Sequence, residues 1–126
     1  MLPATQALQK DDAQNPAMLW VKDGQALWRK PDGEAGKSCA SCRDCHDNLS
    51  GRKLGGNPIP QGHATGYPIY RLEWQSVGSL QRRLRGCMTA VRAAPYSFGA
   101  SELVELEAFL GKRGAGMMVD APAVCP

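Results

Sequence analysis

The sequence predicts a mainly α fold, small and loop-rich, in which a long irregular segment wraps a bound group. Three observations carry this. Apolar residues recur at helical spacing in several stretches and nowhere alternate as in a strand; residues 34–68 are too long and too poor in apolar side chains to pack on themselves; and Cys39, Cys42 and Cys45 crowd into seven positions while Cys87 and Cys125 stand apart. The 126 residues suit one domain, and 43% hydrophobic with 21% charged residues is the composition of a folded chain. A net charge of +3, dispersed along the chain, gives no reason to expect nucleic acid as a partner. No run of about 18 apolar residues predicts a membrane span. Met1-Leu2-Pro3-Ala4 lacks the basic and apolar regions of an export signal, which leaves either a cytoplasmic chain or a mature form written without its signal.

Residues 1–14 are polar, without an apolar period, and are expected to be a mobile N-terminal segment ahead of a single domain over residues 15–126. Asn15-Pro16 marks a helix start, since Asn accepts from free N–H groups and Pro has none to lose. Met18, Leu19, Val21, Leu27 and Trp28 supply its apolar surface, in one helix or two, with Gly24 as a break or a close packing point. Pro31-Asp32-Gly33 stops it. The Gly-, Asn-, Pro- and Ser-rich stretch from 34 to 68 follows, and a connection of more than about 15 structureless residues is unusual in a compact domain unless something gives it a core. From about Trp74 a helical pattern returns: Val77, Leu80, Leu84, Cys87, Met88 and Val91 fall near one face, and Gln81, Arg82 and Arg85 fall outside it. Pro95 ends that region. Ser101 is expected to cap a last helix with Leu103, Leu106 and Leu110 as its buried stripe, Lys112 and Arg113 complementing its C-terminal dipole, and Gly114 as a left-handed exit. After Met117 the chain is expected to be irregular.

The chemistry centres on Cys42-Arg43-Asp44-Cys45-His46, a C-x-x-C-H string and hence the attachment pattern for c-type haem. Two thiols at this spacing can add to the two vinyl groups of one porphyrin, and His46 then falls beneath the iron as proximal ligand. Gly24-Gln25-Ala26-Leu27-Trp28 has the G-x-x-L-aromatic form of the first helix of small c-type cytochromes, which the last helix could cross. The fold expected is therefore a small class I-like cytochrome c domain with long loops wrapping one covalent haem c. Two other readings use the same cysteines: an iron–sulfur cluster begun by C-x-x-C-x-x-C from Cys39, or a zinc module built on Cys39, Cys42, Cys45 and His46. Cys39 is spare in the haem reading, as a thiol or paired with Cys125.

For the sixth iron ligand the sequence offers Met88, Met117, Met118 and His63, besides Cys87. Met117 and Met118 read as packing residues after the last helix, and His63 as a hydrogen-bonding loop residue. Cys87 and Met88 lie about 100° apart around a helix, so presenting one disfavours the other. The neighbours favour Cys87. Arg82, Arg83, Arg85 and Arg92 bring cations without an acid between positions 79 and 92, and Arg83, four residues before Cys87, shares its face. A guanidinium there favours thiolate over thiol and can hold an oxyanion. A merely solvated basic face accounts for Arg82 and Arg85 well and for Arg83 less well. A non-catalytic electron-transfer cytochrome with Met88 on the iron is the alternative.

Gln61 to Ser76, with the string Gly62-His63-Ala64-Thr65-Gly66-Tyr67-Pro68-Ile69-Tyr70-Arg71, then Arg82-Arg83-Leu84-Arg85-Gly86-Cys87, Val91-Arg92-Ala93-Ala94-Pro95-Tyr96 and the Ser101-Glu102-Leu103 helix start, resemble the catalytic haem domain of the SoxA family, the cytochrome subunits of SoxAX thiosulfate-oxidising complexes. The resemblance covers residues 42–126. It implies Cys42 and Cys45 as haem attachment, His46 as proximal ligand, Cys87 as distal ligand and catalytic cysteine, which in the family can be a persulfide, and Arg83 as the substrate-binding arginine. It also implies L-cysteine S-thiosulfotransferase activity, in which thiosulfate is joined oxidatively to a cysteine of a SoxYZ-like carrier, with a SoxX-like cytochrome subunit in a heterodimer, an electron-accepting cytochrome, and a periplasmic location. Residues 14–41 resemble instead the start of the family's other cytochrome domain, so about one domain of the usual length is absent and Cys39 would be its remnant.

Overall fold

The computed structural model describes residues 2–31, 41–54 and 56–125. A two-turn helix, α1 (Pro3–Lys10), has no buried residue. Helix α2 (Ala17–Arg29) begins where Asn15 Oδ1 accepts from the Ala17 N–H at 3.0 Å, with Pro16 one residue ahead of the first helical position. It runs through Gly24 as one helix because that glycine is a packing point: a Cβ there would fall inside contact distance of the Glu105 carbonyl and 2.8 Å from Phe109 Cβ. The element it meets is the last helix, α4 (Ser101–Arg113), and their crossing holds the main core, where Trp28, Leu103, Leu106 and Leu110 are buried with Leu84 from α3 (Leu80–Ala90). Leu103 is fully buried. The mainly helical expectation stands on these three helices.

The ends of the helices differ from their sequence signals. Ser101 is the first helical residue, because the Ala100 carbonyl already accepts from Val104 at 3.1 Å; the Ser101 hydroxyl turns to the Glu102 carboxylate. Gly114 has φ −87°, and the left-handed turn comes two residues later at Gly116, φ +84°. Helix α3 starts at Leu80, where the Ser79 hydroxyl accepts from the Arg82 N–H. The apolar residues before it belong to a sheet that the sequence pattern does not reveal.

That sheet has the order β4-β3-β5: β3 (Ile69–Arg71) pairs antiparallel with β4 (Ser76–Gly78) and parallel with β5 (Ala123–Cys125). Three residues per strand are too few for alternation to register, and the tail becomes a strand only by adding to an existing edge. Ala123 donates to the Gly66 carbonyl at 3.1 Å, and Leu72 to the Cys125 carbonyl at 2.9 Å. Cys125 sits opposite Arg71 in this register; Cys39, its possible partner by sequence, lies outside the described residues. Residues 41–68 carry a single π-helical turn (Asp44–Asn48) and a small hairpin, β1 (Lys53–Leu54) with β2 (Asn57–Pro58), folded over a second core of Cys45 and Ile59 with Leu49 and Val91 against it.

Gly24→Ala should destabilise the chain by about 3 kcal/mol, the upper end for overpacking, because backbone rather than a flexible side chain blocks the new methyl. Urea unfolding monitored by far-UV circular dichroism would measure it.

Candidate haem and sulfur site

Asp44, Cys45 and His46 of the C-x-x-C-H string lie in the π-helical turn, with Cys42 and Arg43 immediately ahead of it; such turns recur at functional sites. Cys42, Cys45 and His46 all face an apolar cleft of about 690 Å³, its open mouth included, whose other walls carry Leu27, Trp28, Leu84 and Leu106 from the core. Helix α3 contributes both Cys87 and Met88. The two are adjacent on α3, about 100° apart around its axis, and both line the cleft. Met117 and Met118 lie on the surface, 45% and 86% exposed, and neither they nor His63 line the cleft.

His46 is fixed on three sides. Its Nδ1 lies 2.8 Å from the Pro60 carbonyl oxygen, which can only accept, so the proton belongs on Nδ1 and the lone pair on Nε2. The ring stacks on Trp28 at 5.5 Å between centroids and 27° between planes. Gly62, at φ +76°, presses on both: a Cβ there would lie 2.9 Å from the Trp28 ring and 3.1 Å from His46 Cγ. Burial pulls the imidazole below its ordinary pKa; the Pro60 bond works against this, and the cations Arg113 and Arg83 add to it. A neutral imidazole with its other nitrogen tied to a carbonyl is the form a metal ligand takes. Asp47, the next residue, accepts from Trp28 Nε1 at 3.2 Å and from Arg113 at 2.6 Å. Burial alone would raise its pKa, but those bonds hold it below the usual carboxylate value.

Haem fits these residues: an apolar cleft, a paired-cysteine wall, and an imidazole whose free lone pair is on Nε2 by its hydrogen bonding. Cys39, which the zinc and iron–sulfur readings need, lies outside the described residues, and among those described no three His, Cys, Asp or Glu side chains converge as a metal site.

The arginines of the α3 region sort themselves by partner. Arg82 lies 4.2 Å over the Trp74 ring and donates to the Ser76 hydroxyl; Arg85 donates from Nε to the Tyr96 carbonyl at 2.8 Å and sits 4.4 Å over Phe98. Arg83 is half-buried and makes no side-chain hydrogen bond or ion pair among the described residues. Its charge lowers the pKa of both the His46 imidazole and the Tyr67 phenol. No motif or spacing in the sequence singles out Tyr67. Burial raises its phenol above the ordinary value, Arg83 opposes that, and the sulfurs of Cys87 and Cys125 reinforce it, so this phenol shares a neighbourhood with the cysteine and arginine of α3.

The helix crossing and the cleft with its C-x-x-C-H wall define a cytochrome c domain, the fold that holds haem c. The profile of the SoxA/TsdA cytochrome c domain family matches residues 23–119, and the chain belongs to that family. The matched range begins upstream of the cysteine cluster and includes Trp28. Among curated relatives, the L-cysteine S-thiosulfotransferase subunit SoxA of Pseudaminobacter salicylatoxidans is 34% identical over 83% of this chain and 36% of that protein. That of Rhodovulum sulfidophilum is 31% identical over 86% of this chain and 37% of that protein. The chain thus spans little more than a third of these relatives. A crystal structure of SoxXA from P. pantotrophus matches with a TM-score of 0.78 at 26% identity, covering 88% of this chain and 40% of that one.

The depressed pKa of His46 fixes a pH dependence for the haem-free chain. The unfolded imidazole takes up a proton near its ordinary value of about 6.5 while the folded one does not, so this contribution to stability is fully present above that pH and is lost as pH falls below it. Unfolding free energy should drop by up to about 1.4 kcal/mol per pH unit from this one group, and His46→Gln should remove that slope in urea titrations between pH 7 and 5.

Proposed function

We propose that this chain is the catalytic haem domain of a SoxA-type L-cysteine S-thiosulfotransferase, with a single haem c held covalently by Cys42 and Cys45 and ligated by His46 and Cys87. The observation that carries the reading is the position of Cys87: it lines the same cleft as His46, one helical turn beyond an Arg83 that no group among the described residues neutralises. The names of the relatives support the activity, and the SoxXA composition of the structural neighbour supports a SoxX-like subunit as partner. A SoxYZ-like carrier, an electron-accepting cytochrome and a periplasmic setting complete the reading.

The chemistry follows from the residues. Arg83 gives thiosulfate a charge-assisted partner and lowers the repulsion between that dianion and the Cys87 thiolate. The outer sulfur of thiosulfate and the Cys87 sulfur form an S–S bond with loss of two electrons. A carrier thiolate then attacks the sulfur attached to the sulfonate end, leaving with the thiosulfonate and returning Cys87 as thiolate. When bound, haem supplies the outlet for electrons. The apolar walls from Leu27, Leu84 and Leu106 exclude water from the cleft, and the Pro60 carbonyl holds the proton on Nδ1 of His46.

One observation favours a second reading. Met88 lines the cleft beside Cys87, and with its thioether on the iron the domain would be an electron carrier without transferase chemistry. Oxidised and reduced absorption spectra separate the two. Covalent haem gives a Soret band that stays with the chain through acid extraction, and a methionine-ligated ferric haem adds a weak band at the red end. Loss of all Soret absorbance on extraction defeats the covalent assignment.

Cys87→Ala should retain haem and lose thiosulfate coupling to a carrier cysteine by at least about a thousandfold, the scale on which removing a nucleophile acts; unchanged turnover removes the catalytic claim. Arg83→Ala should lower the specificity constant by roughly 10- to 100-fold, the equivalent of one hydrogen bond to a charged group, and an unaltered constant returns Arg83 to a solvated face.

A further inference from the structure

Arg113 ends α4, and three separate pieces of chain meet at its guanidinium. Nη2 donates to Asp47 Oδ1 at 2.6 Å and to the Gln61 carbonyl at 2.9 Å, and the guanidinium carbon lies 5.0 Å from the centre of the Trp28 ring. The side chain is 22% exposed. Asp47 closes the circuit by accepting from Trp28 Nε1 with its other oxygen. Each group that Arg113 touches is one step from the proximal imidazole. Trp28 is stacked on it, and Asp47 follows it in the chain. Gln61 stands between Pro60, whose carbonyl takes the Nδ1 proton, and Gly62, whose backbone abuts the ring. Nε of Arg113 is buried without a hydrogen-bond partner, so this pose is not the one that best satisfies the arginine itself.

We propose that Arg113 is the positioning residue of this site: it fixes the orientation of the His46 imidazole and, through its permanent charge, sets the reduction potential of haem bound there. The second half rests on the haem reading above; the first does not. Orientation follows from the geometry. The guanidinium packs against the indole and bonds the Gln61 carbonyl, which anchors the loop between Pro60, whose carbonyl takes the Nδ1 proton, and Gly62, whose backbone abuts the ring. Lysine cannot reproduce this arrangement, because an ammonium supplies a point charge and does not lie flat over an indole. The effect on potential is electrostatic. Iron gains positive charge on oxidation, so a half-buried cation close to its ligand favours the reduced form, and the carboxylate of Asp47 opposes it. Removing Arg113 also leaves that carboxylate less compensated, which acts in the same direction.

The test uses Arg113→Gln, Arg113→Lys and Asp47→Asn in the full chain. In haem-free protein, 15N resonances of His46 should report the Nδ1–H tautomer in the wild type, a mixture in Arg113→Gln, and partial restoration in Arg113→Lys. In haem-loaded protein, the ratio of reduced to oxidised haem at a fixed ambient potential should fall by about tenfold in Arg113→Gln and rise by a similar factor in Asp47→Asn, roughly 59 mV each way for one electron. Arg113→Lys should hold the potential near wild type while shifting the ferric electron paramagnetic resonance g values. A single Nδ1–H tautomer retained in Arg113→Gln overturns the positioning role, and equal or same-direction shifts in Arg113→Gln and Asp47→Asn overturn the electrostatic one. If Arg113→Gln does not fold, Arg113→Lys and Asp47→Asn decide both arms. If no haem attaches, the haem reading fails while the tautomer measurement still decides the positioning claim.

Discussion

The structure turns on the fixed imidazole of His46. A histidine whose ring can rotate, or whose proton can exchange between its nitrogens, is a poor metal ligand; one held in a single plane with its Nδ1 proton on a carbonyl presents one lone pair in one direction. Here the plane is set by Trp28 and the proton by Pro60, and neither belongs to the turn that carries the histidine. Trp28 is in place because α2 and α4 approach closely enough for α4 backbone to lie against Gly24. The main core therefore supports the site directly: Leu103, Leu106 and Leu110 pack the crossing, and Leu106 is also a wall of the cleft. One helix pair supplies both stability and the orientation of the His46 ring.

Much of this is legible in the residues. C-x-x-C-H, the G-x-x-L-aromatic string and the Leu103, Leu106, Leu110 stripe each rest on short-range spacing, and spacing within one turn or one helix survives folding unchanged. What is not legible depends on chain distant in sequence. Arg113 reads as a cation complementing a helix C-terminus, yet it reaches Asp47, 66 residues away, and the Gln61 carbonyl, 52 residues away. Strand β5 has no pattern of its own because it exists only as the third member of a sheet begun at Ile69. Tyr67 lacks a signal for the same reason: the charge of Arg83 and the sulfur of Cys87 that act on it stand 16 and 20 residues further along the chain. The helix-end residues show a subtler failure, since Ser101 and Gly114 satisfy the usual cap preferences while neighbours one or two positions away take the cap geometry.

The cationic stretch on α3 illustrates how composition overstates a site. Four arginines between positions 79 and 92 suggest one anion-binding field, but most of that charge is already engaged. Arg82 is spread over Trp74 and tied to Ser76, Arg85 is locked by a carbonyl and Phe98, and Arg92 has a partner of its own while adopting φ +61° at the end of the helix. Arginine stems and planar heads used this way are packing elements whose charge happens to remain.

Arg83 is different, and the difference is energetic. A half-buried cation has lost part of its hydration, a loss ordinarily offset by a carboxylate or a set of carbonyls. Among the described residues no such group bonds to it, and the nearby Tyr67 phenol is held neutral by its burial rather than offered as a counter-charge. Compensating negative charge can come from a bound anion or from the sulfur one turn along the helix. Both sources belong to the proposed chemistry: the sulfur of Cys87, and the sulfonate of thiosulfate. On the proposed function, this incompletely paired charge is what sets Arg83 apart from Arg82, Arg85 and Arg92, whose heads are engaged elsewhere.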